Sequence, residues 1–265
     1  MIFKTVQLRP DDEKITLNSY IADRYKDSRR KALLVIPGGG YGQVCSDREG
    51  EPIALAFLPY GYNAFVLNYS VGRVRSFPAQ LIEVAMAIKH IKDNAEEYGI
   101  DPEELFVVGF SAGGHLTACS GILWNHPAVY EAVDMPYGYN KPKGIMPIYP
   151  VINGHEGSFK NLWCTDNLTP EQRAQTDLNL HVDKDSAPAF ILHTFTDQVV
   201  PVQNSLDLAN AYAKAGVPCE MHIYPKGPHG MALANKVTAM GGSKEYIDPE
   251  IAKWVDMAAA WADNL

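Results

Sequence analysis

A short glycine-rich motif limits the folds open to this chain more than any other feature of its sequence. The motif GFSAGG occupies residues 109–114, directly after an apolar run at 105–108 and before a stretch with helical character. A serine in a G-x-S-x-G sequence between a strand and a helix lies in a strained turn that exposes its Oγ, and the glycines leave room for the packed elements around it. The motif therefore predicts Ser111 as a nucleophile. The alternative is a glycine-rich turn in which this serine caps the helix.

Apolar runs and amphipathic stretches alternate along the chain. Predicted strands cover 32–37, 64–69, 105–110, 144–152, 190–195 and 219–224, and predicted helices cover 50–62, 81–99, 112–124, 202–215 and 250–264. This alternation predicts an α/β fold with a mostly parallel central sheet and helices on both faces. Residues 14–21 are expected to add an antiparallel strand at the N-terminal edge, and 101–104 a short helical turn. No repeat or linker divides the sequence, so we expect a single domain over 1–265.

The charge balance limits the partners that this chain can have. Its 265 residues include 31 acidic and 23 basic side chains, and the formal net charge of −8 disfavours nucleic acid or an anionic membrane, because both require a basic surface. No apolar run reaches the roughly 20 residues that span a bilayer, and the N-terminal segment lacks the apolar core of a secretory signal. The cysteines are scattered without a CxxC pair: Cys45, Cys119, Cys164 and Cys219. We therefore expect reduced thiols and a cytoplasmic protein.

The serine motif in this setting resembles the nucleophile elbow of the α/β-hydrolase superfamily. The resemblance implies the α/β-hydrolase fold, with an acidic residue after a later strand and a histidine after the last strand. Asp197 follows the predicted strand 190–195 and is the candidate acid, whereas Asp177, Asp183 and Asp185 precede that strand and would lie at its other end. The alternative role for Asp197 is to cap the helix that follows it.

The candidate base is His229, which lies in a loop of glycine and proline residues just after the predicted strand 219–224. His193 and His222 lie inside predicted strands and are expected in the core. His155 and Glu156 are not followed by a second histidine at the spacing of an HExxH zinc site. A mechanism that uses serine, histidine and aspartate requires no metal and no organic cofactor.

A second glycine run, at residues 38–40, follows the predicted strand 32–37. It lacks the third glycine of a dinucleotide fingerprint and the Gly-Lys-Ser/Thr of a phosphate-binding loop. It is similar to the His-Gly-Gly-Gly oxyanion segment of hormone-sensitive-lipase-like esterases, with Pro37 in place of the histidine. The resemblance implies that backbone N–H groups of Gly39, Gly40 and Ala112 bind an oxyanion, since glycine places no Cβ in the way.

Other segments extend the resemblance to a small acetyl-esterase or xylan-esterase-like branch of these enzymes. They are Asn-Tyr-Ser at 68–70, Phe-Pro-Ala at 77–79 and YPKGPHG at 224–230. The resemblance implies a serine carboxylesterase that removes acetyl or other short acyl groups from carbohydrate such as acetylated xylo-oligosaccharides. Two alternatives stay open: a serine hydrolase of other esters or amides, including peptides, and a catalytically silent fold that binds a ligand.

The substrate pocket is expected to be an open cleft with little or no lid. The polar stretch 153–187 is a candidate partial cover, and no large helical lid precedes the oxyanion strand. Tyr41, Tyr69 and Trp163 are candidates for stacking on sugar rings, although aromatic side chains at such positions more often pack in the core. The sequence leaves open the oligomeric state and the position of the acyl group on the sugar.

Overall fold

The computed structural model describes residues 1–23 and 28–265, and one eight-stranded sheet lies at its centre. The strands are β1 (Ile2–Arg9), β2 (Asp12–Ile21), β3 (Arg30–Ile36), β4 (Tyr62–Asn68), β5 (Ile100–Phe110), β6 (Gly144–Ile148), β7 (Ala189–Thr194) and β8 (Cys219–Tyr224). Their order across the sheet is β1-β2-β4-β3-β5-β6-β7-β8. The pairs β1–β2 and β2–β4 are antiparallel and every later pair is parallel. The predicted parallel sheet with an antiparallel N-terminal edge is confirmed.

Helices pack on both faces of this sheet. They are α1 (Ser46–Glu49), α2 (Glu51–Phe57), α3 (Ala79–Asp93), α4 (Ala95–Tyr98), α5 (Ala112–Ile122), α6 (Pro127–Ala132), α7 (Glu156–Leu162), α8 (Pro170–Thr176), α9 (Gln203–Ala215) and α10 (Trp254–Asp263). Leu116 of α5 belongs to one apolar cluster and Trp254 of α10 to another. Because side chains alternate along a strand, Val107 of β5 joins the first cluster and Val108 the second. The sheet therefore separates two cores.

None of the helices in the described part of the chain is long and apolar enough to cross a membrane.

Two segments differ from what the sequence predicts. Residues 101–104, expected to form a helical turn, lie in the extended first half of β5. The register explains the difference: Arg30 pairs with Ile100 and Ala32 with Leu105, so β5 carries extra residues that bulge from the ladder. The strand β1 was not predicted, because most of its side chains are exposed and it lacks an apolar face; it is held by its pairing with β2.

Loops that leave the carboxyl ends of four parallel strands carry the candidate functional residues. The strand β3 leads into the glycine run at 38–40, β5 into Ser111, β7 into Asp197 and β8 into His229. Carboxyl ends of parallel strands lie at the same edge of a sheet, which is where open α/β folds place their sites. The topology therefore brings together residues that are far apart in the sequence.

Candidate active site

Ser111 lies in a turn that requires small neighbours. Its backbone has φ 55° and ψ −117°, a strained combination for a residue other than glycine. A Cβ on Gly109 would lie 2.2 Å from Thr117 Oγ1, and a Cβ on Gly113 would lie 2.2 Å from the carbonyl oxygen of Ile36. The two glycines therefore let α5 pack closely against the sheet, and Ser111 stands at the junction of β5 and α5.

Three side chains from three loops form a continuous hydrogen-bonded chain. His229 Nε2 lies 2.8 Å from Ser111 Oγ, and His229 Nδ1 lies 2.7 Å from Asp197 Oδ2. We assign the proton to Nδ1, which donates to the carboxylate, so that Nε2 is free to accept the hydrogen bond of the serine hydroxyl. The structure thus brings together the residues that the sequence suggests as nucleophile, base and acid.

Asp197 is held by its own loop as well as by the imidazole. Its Oδ1 accepts hydrogen bonds from the backbone N–H groups of Val199 and Val200, at 2.8 and 2.9 Å. Burial raises the pKa of this carboxyl, but hydrogen bonds from His193 and His229 outweigh burial and hold the pKa well below its usual range. Asp197 is therefore ionised at neutral pH and presents a negative charge to the Nδ1 atom of His229.

The contact between His193 and Asp197 was not predicted from the sequence. His193 was expected in the core, and its side chain is fully buried, but its Nε2 also lies 3.4 Å from Asp197 Oδ2. Ser205 Oγ lies 2.7 Å from Nδ1, and the carbonyl oxygen of Val200 lies 3.0 Å from Nε2, so the ring is fixed from both sides. The only signal in the sequence was the position of His193 four residues before Asp197.

The glycine run beside Ser111 presents backbone amides without partners. Gly39 has φ 125° and Gly40 has φ 62°, and a Cβ on Gly39 would lie 2.2 Å from the carbonyl oxygen of Gln43. Within residues 1–23 and 28–265, the N–H groups of Gly39, Gly40 and Ala112 make no hydrogen bond. Free donors next to a nucleophile are what an oxyanion hole requires.

Three side chains from separate parts of the sequence hold the glycine run in the absence of the histidine that Pro37 replaces. They bond to its backbone at 2.8–2.9 Å: Tyr69 Oη to the carbonyl of Pro37, Glu49 Oε2 to the N–H of Gly38, and Asn161 Nδ2 to the carbonyl of Gly40. The loop is therefore fixed on both sides of Gly39, the glycine of this run at which an added Cβ would lie closest to another atom.

Ser111 and His229 line a small cleft of about 190 Å³. Pockets for drug-sized ligands typically measure about 300–1,000 Å³, so this cleft suits a small group. His155 and Ser158, from the stretch 153–187, form part of its wall. Met240, from the long connection between β8 and α10, forms another part, and no sequence motif predicts this contribution.

The aromatic residues suggested for sugar stacking do not line this cleft, and the suggestion is wrong for the tyrosines. Tyr41 and Tyr69 are 1% and 2% exposed, and the hydroxyl of Tyr41 lies 2.7 Å from His115 Nδ1. Trp163 is half-buried against Phe77, with ring centroids 5.4 Å apart. The two tyrosine rings are buried and Trp163 packs against Phe77, so none of the three rings forms part of the cleft wall.

Metal-binding side chains do not cluster in the described part of the chain: no group of three or more His, Cys, Asp or Glu residues could hold a metal ion. All four cysteines are free thiols, and Cys45 is the one that lines the cleft.

Comparison with known proteins places these features in a family. The chain is 36% identical over 221 residues to endo-1,4-beta-xylanase B of Butyrivibrio fibrisolvens, a match that covers 79% of this chain and 34% of that protein. It is 29% identical over 212 residues to the acetylxylan esterase of Xylanibacter ruminicola, covering 77% of this chain and 41% of that protein. The chain therefore spans well under half the length of these curated relatives.

A solved structure matches the chain over nearly its whole length. The crystal structure of an acetyl ester-xyloside bifunctional hydrolase from Caldicellulosiruptor lactoaceticus has a TM-score of 0.81 and 31% identity, and the match covers 98% of this chain and 96% of that chain. The BD-FAE family model matches residues 17–212, which include the glycine run, Ser111 and Asp197. With its mostly parallel sheet and serine elbow, this chain belongs to the BD-FAE family and has an α/β-hydrolase fold.

Proposed function

We propose that this chain is a serine carboxylesterase that removes short acyl groups, chiefly acetyl, from acetylated carbohydrate. The observation that carries the proposal is the hydrogen-bonded chain from Ser111 through His229 to Asp197, at 2.8 and 2.7 Å. The names of two relatives support the substrate class, since one is called an acetylxylan esterase and the other an acetyl ester-xyloside hydrolase.

In this proposal, acyl transfer to the enzyme begins at Ser111. Its Oγ attacks the ester carbonyl carbon while His229 Nε2 accepts the hydroxyl proton, and the carbonyl oxygen becomes an oxyanion. The N–H groups of Gly39, Gly40 and Ala112 bind that oxyanion; a single donor of this kind is worth about 3–4 kcal/mol in a well-studied protease. When the C–O bond breaks, the imidazolium gives its proton to the leaving sugar oxygen, and an acyl-enzyme remains.

Water completes the proposed reaction. His229 accepts a proton from water as the water oxygen attacks the acyl carbon, and a second tetrahedral oxyanion occupies the same amides. Its collapse releases the carboxylic acid and returns the proton to Ser111 Oγ. The charge on Asp197 stabilises the imidazolium in both halves of the cycle.

The leaving group is tested by offering substrates that differ in that group alone. Purified protein is assayed for acetate release from acetylated xylo-oligosaccharides, from p-nitrophenyl acetate and from N-acetylated sugars or peptides. We expect hydrolysis of both esters and none of the amides, with Ser111→Ala as the inactive control. Amide hydrolysis at a rate equal to ester hydrolysis, or failure to release acetate from any acetylated sugar, would overturn the proposal.

A further inference from the structure

The short helix α1 contacts both the glycine run and the segment that carries His229. Its last residue, Glu49, is 2% exposed. Glu49 Oε2 accepts the N–H of Gly38 at 2.8 Å, and a Cβ on Gly38 would lie 2.7 Å from the same oxygen. The carboxylate therefore packs directly on the backbone that leads into the candidate oxyanion donors.

The other carboxylate oxygen of this glutamate faces the histidine segment. It accepts the hydroxyl hydrogen of Tyr149 at 2.9 Å, and that hydroxyl in turn accepts the N–H of Ala232 at 3.0 Å. The ring of Tyr149 stands edge-on to the imidazole of His229, with centroids 5.1 Å apart and planes at 68°. Arg48 Nη1 also donates to the carbonyl of Gly230, at 3.0 Å. The segment that follows His229 is thus hydrogen-bonded to α1 at two points: directly at Gly230, and at Ala232 through the hydroxyl of Tyr149.

This group of contacts combines a buried carboxyl group with strained backbone. Burial raises the pKa of Glu49 above its usual value, and the charge of Arg48 and the hydrogen bonds from Gly38 and Tyr149 offset this rise only in part. The backbone is also strained, with φ 37° at Tyr149 and 49° at Ala232. Buried ionisable groups and strained backbones persist only where the surroundings hold them, and they concentrate at functional sites.

We propose that Glu49 and Tyr149 are positioning residues that fix the oxyanion amides relative to His229. The inference rests on the proposed esterase activity. Glu49 acts through the N–H of Gly38, and Tyr149 acts through Ala232 and the imidazole ring. Their loss should leave binding of the ester intact and weaken stabilisation of the tetrahedral oxyanion, because a misplacement of about 1 Å can cost roughly 100-fold in rate.

The most conservative test is Tyr149→Phe, which keeps the ring and removes the hydroxyl. Tyr212→Phe is its matched control: Tyr212 is equally buried, and its hydroxyl donates to the carbonyl of Ala187 at 2.9 Å, away from the cleft. For p-nitrophenyl acetate we expect Tyr149→Phe to lower kcat about tenfold or more, with KM within about threefold of wild type. Tyr212→Phe should leave both constants unchanged.

A second measurement distinguishes a loss of transition-state stabilisation from a loss of folding stability. A small trifluoromethyl ketone adds to a catalytic serine and forms a tetrahedral adduct with an oxyanion. Its inhibition constant should rise in Tyr149→Phe in the same proportion as kcat/KM falls, because both report transition-state stabilisation. A role in stability alone would lower the unfolding midpoint and leave this constant unchanged.

The role of Glu49 is tested with two substitutions that remove its contacts to different extents. Glu49→Gln keeps an acceptor for Gly38 and should retain more of kcat than Glu49→Ala, which removes both contacts. The double variant Glu49→Gln/Tyr149→Phe should lose less than the product of the two single losses, since the two residues act as one unit. If Glu49→Ala fails to fold, the Tyr149→Phe comparison still decides the question.

Two results overturn the inference and are distinguishable. Wild-type kcat and ketone inhibition in Tyr149→Phe, in an enzyme that hydrolyses acetyl esters, would overturn the positioning role alone. Absence of ester hydrolysis by the unaltered protein would overturn the proposed function, and the inference with it.

Discussion

At the residue scale, the proposed reactivity of Ser111 depends on its neighbours. A free serine hydroxyl is a weak nucleophile and needs an adjacent base. In the proposed mechanism that base is His229, which is hydrogen-bonded to Asp197. Two backbone N–H groups and a contact with His193 hold Asp197 in turn. Asp197 orients His229, and His229 contacts Ser111, so we expect a substitution at Asp197 to lower the reactivity of the serine.

Asp197→Asn is expected to lower kcat by about 10⁴-fold, because the amide favours the wrong imidazole tautomer, as the same change does in a serine protease. Asp185→Asn is the control: Asp185 is exposed, pairs with Lys184 at 2.8 Å and precedes β7. Steady-state assays with p-nitrophenyl acetate compare the two variants. A greater loss in Asp185→Asn than in Asp197→Asn would contradict the assignment of the acid.

At the element scale, continuous apolar runs in the sequence predict the strands well, but they do not show where the backbone changes direction. The predicted strand 219–224 coincides with β8, and 190–195 differs from β7 by one residue at each end. The predicted strand 144–152 is too long, because β6 ends at Ile148 and Tyr149 turns away with φ 37°. The apolar sequence continues past that turn, so composition alone could not reveal where the strand ends.

The helix α5 buries a histidine whose protonation should affect folding. Tyr41 Oη lies 2.7 Å from His115 Nδ1, and the carbonyl of Thr176 lies 2.9 Å from Nε2. Burial lowers the pKa of His115 from 6.5 to about 4, against the opposing effect of the Thr176 hydrogen bond. The unfolded chain binds a proton at His115 more readily than the folded chain does. The contribution of the neutral His115 to the free energy of unfolding is therefore complete above pH 6.5 and is lost as pH falls towards 4.

Denaturant unfolding at pH 7.5 and pH 5.0 tests this linkage. Between these values, the free energy of unfolding of the wild type should fall by about 2 kcal/mol more than that of His115→Gln, which lacks the titrating group. An equal fall in the two proteins would show that His115 does not couple folding to pH.

At the scale of the whole molecule, the sequence predicts the candidate triad better than it predicts the supports around it. Ser111, Asp197 and His229 each follow an apolar strand, and one topological rule brings them to the same edge. The contact of Glu49 with Tyr149 joins residues 100 positions apart, and no local pattern marks either side chain. Such contacts depend on how loops fold over the sheet, as does the place of Met240 in the cleft wall.

The size of the cleft leads to a prediction about acyl length. A pocket that buried a long acyl chain would gain about 0.8 kcal/mol for each methylene, and kcat/KM would rise with chain length. In a cleft of about 190 Å³ we expect acetyl esters to be hydrolysed best, with kcat/KM falling beyond about four carbons. Assays of acetyl to octanoyl p-nitrophenyl esters measure this, and Met240→Ala should reduce the fall by widening the cleft. A wild-type preference for octanoyl over acetyl would contradict the small-pocket account.

In the proposed mechanism, catalysis passes through an acyl group on Ser111, and this intermediate can be trapped. The protein is mixed with excess p-nitrophenyl acetate, quenched in acid during turnover and digested for peptide mass mapping, since activated aryl esters let the acyl-enzyme accumulate. We predict the added mass of one acetyl group on the peptide that contains Ser111, and neither acetylation nor more than residual turnover in Ser111→Ala. Acetyl on another cleft residue such as Cys45, with undiminished turnover in Ser111→Ala, would contradict the account.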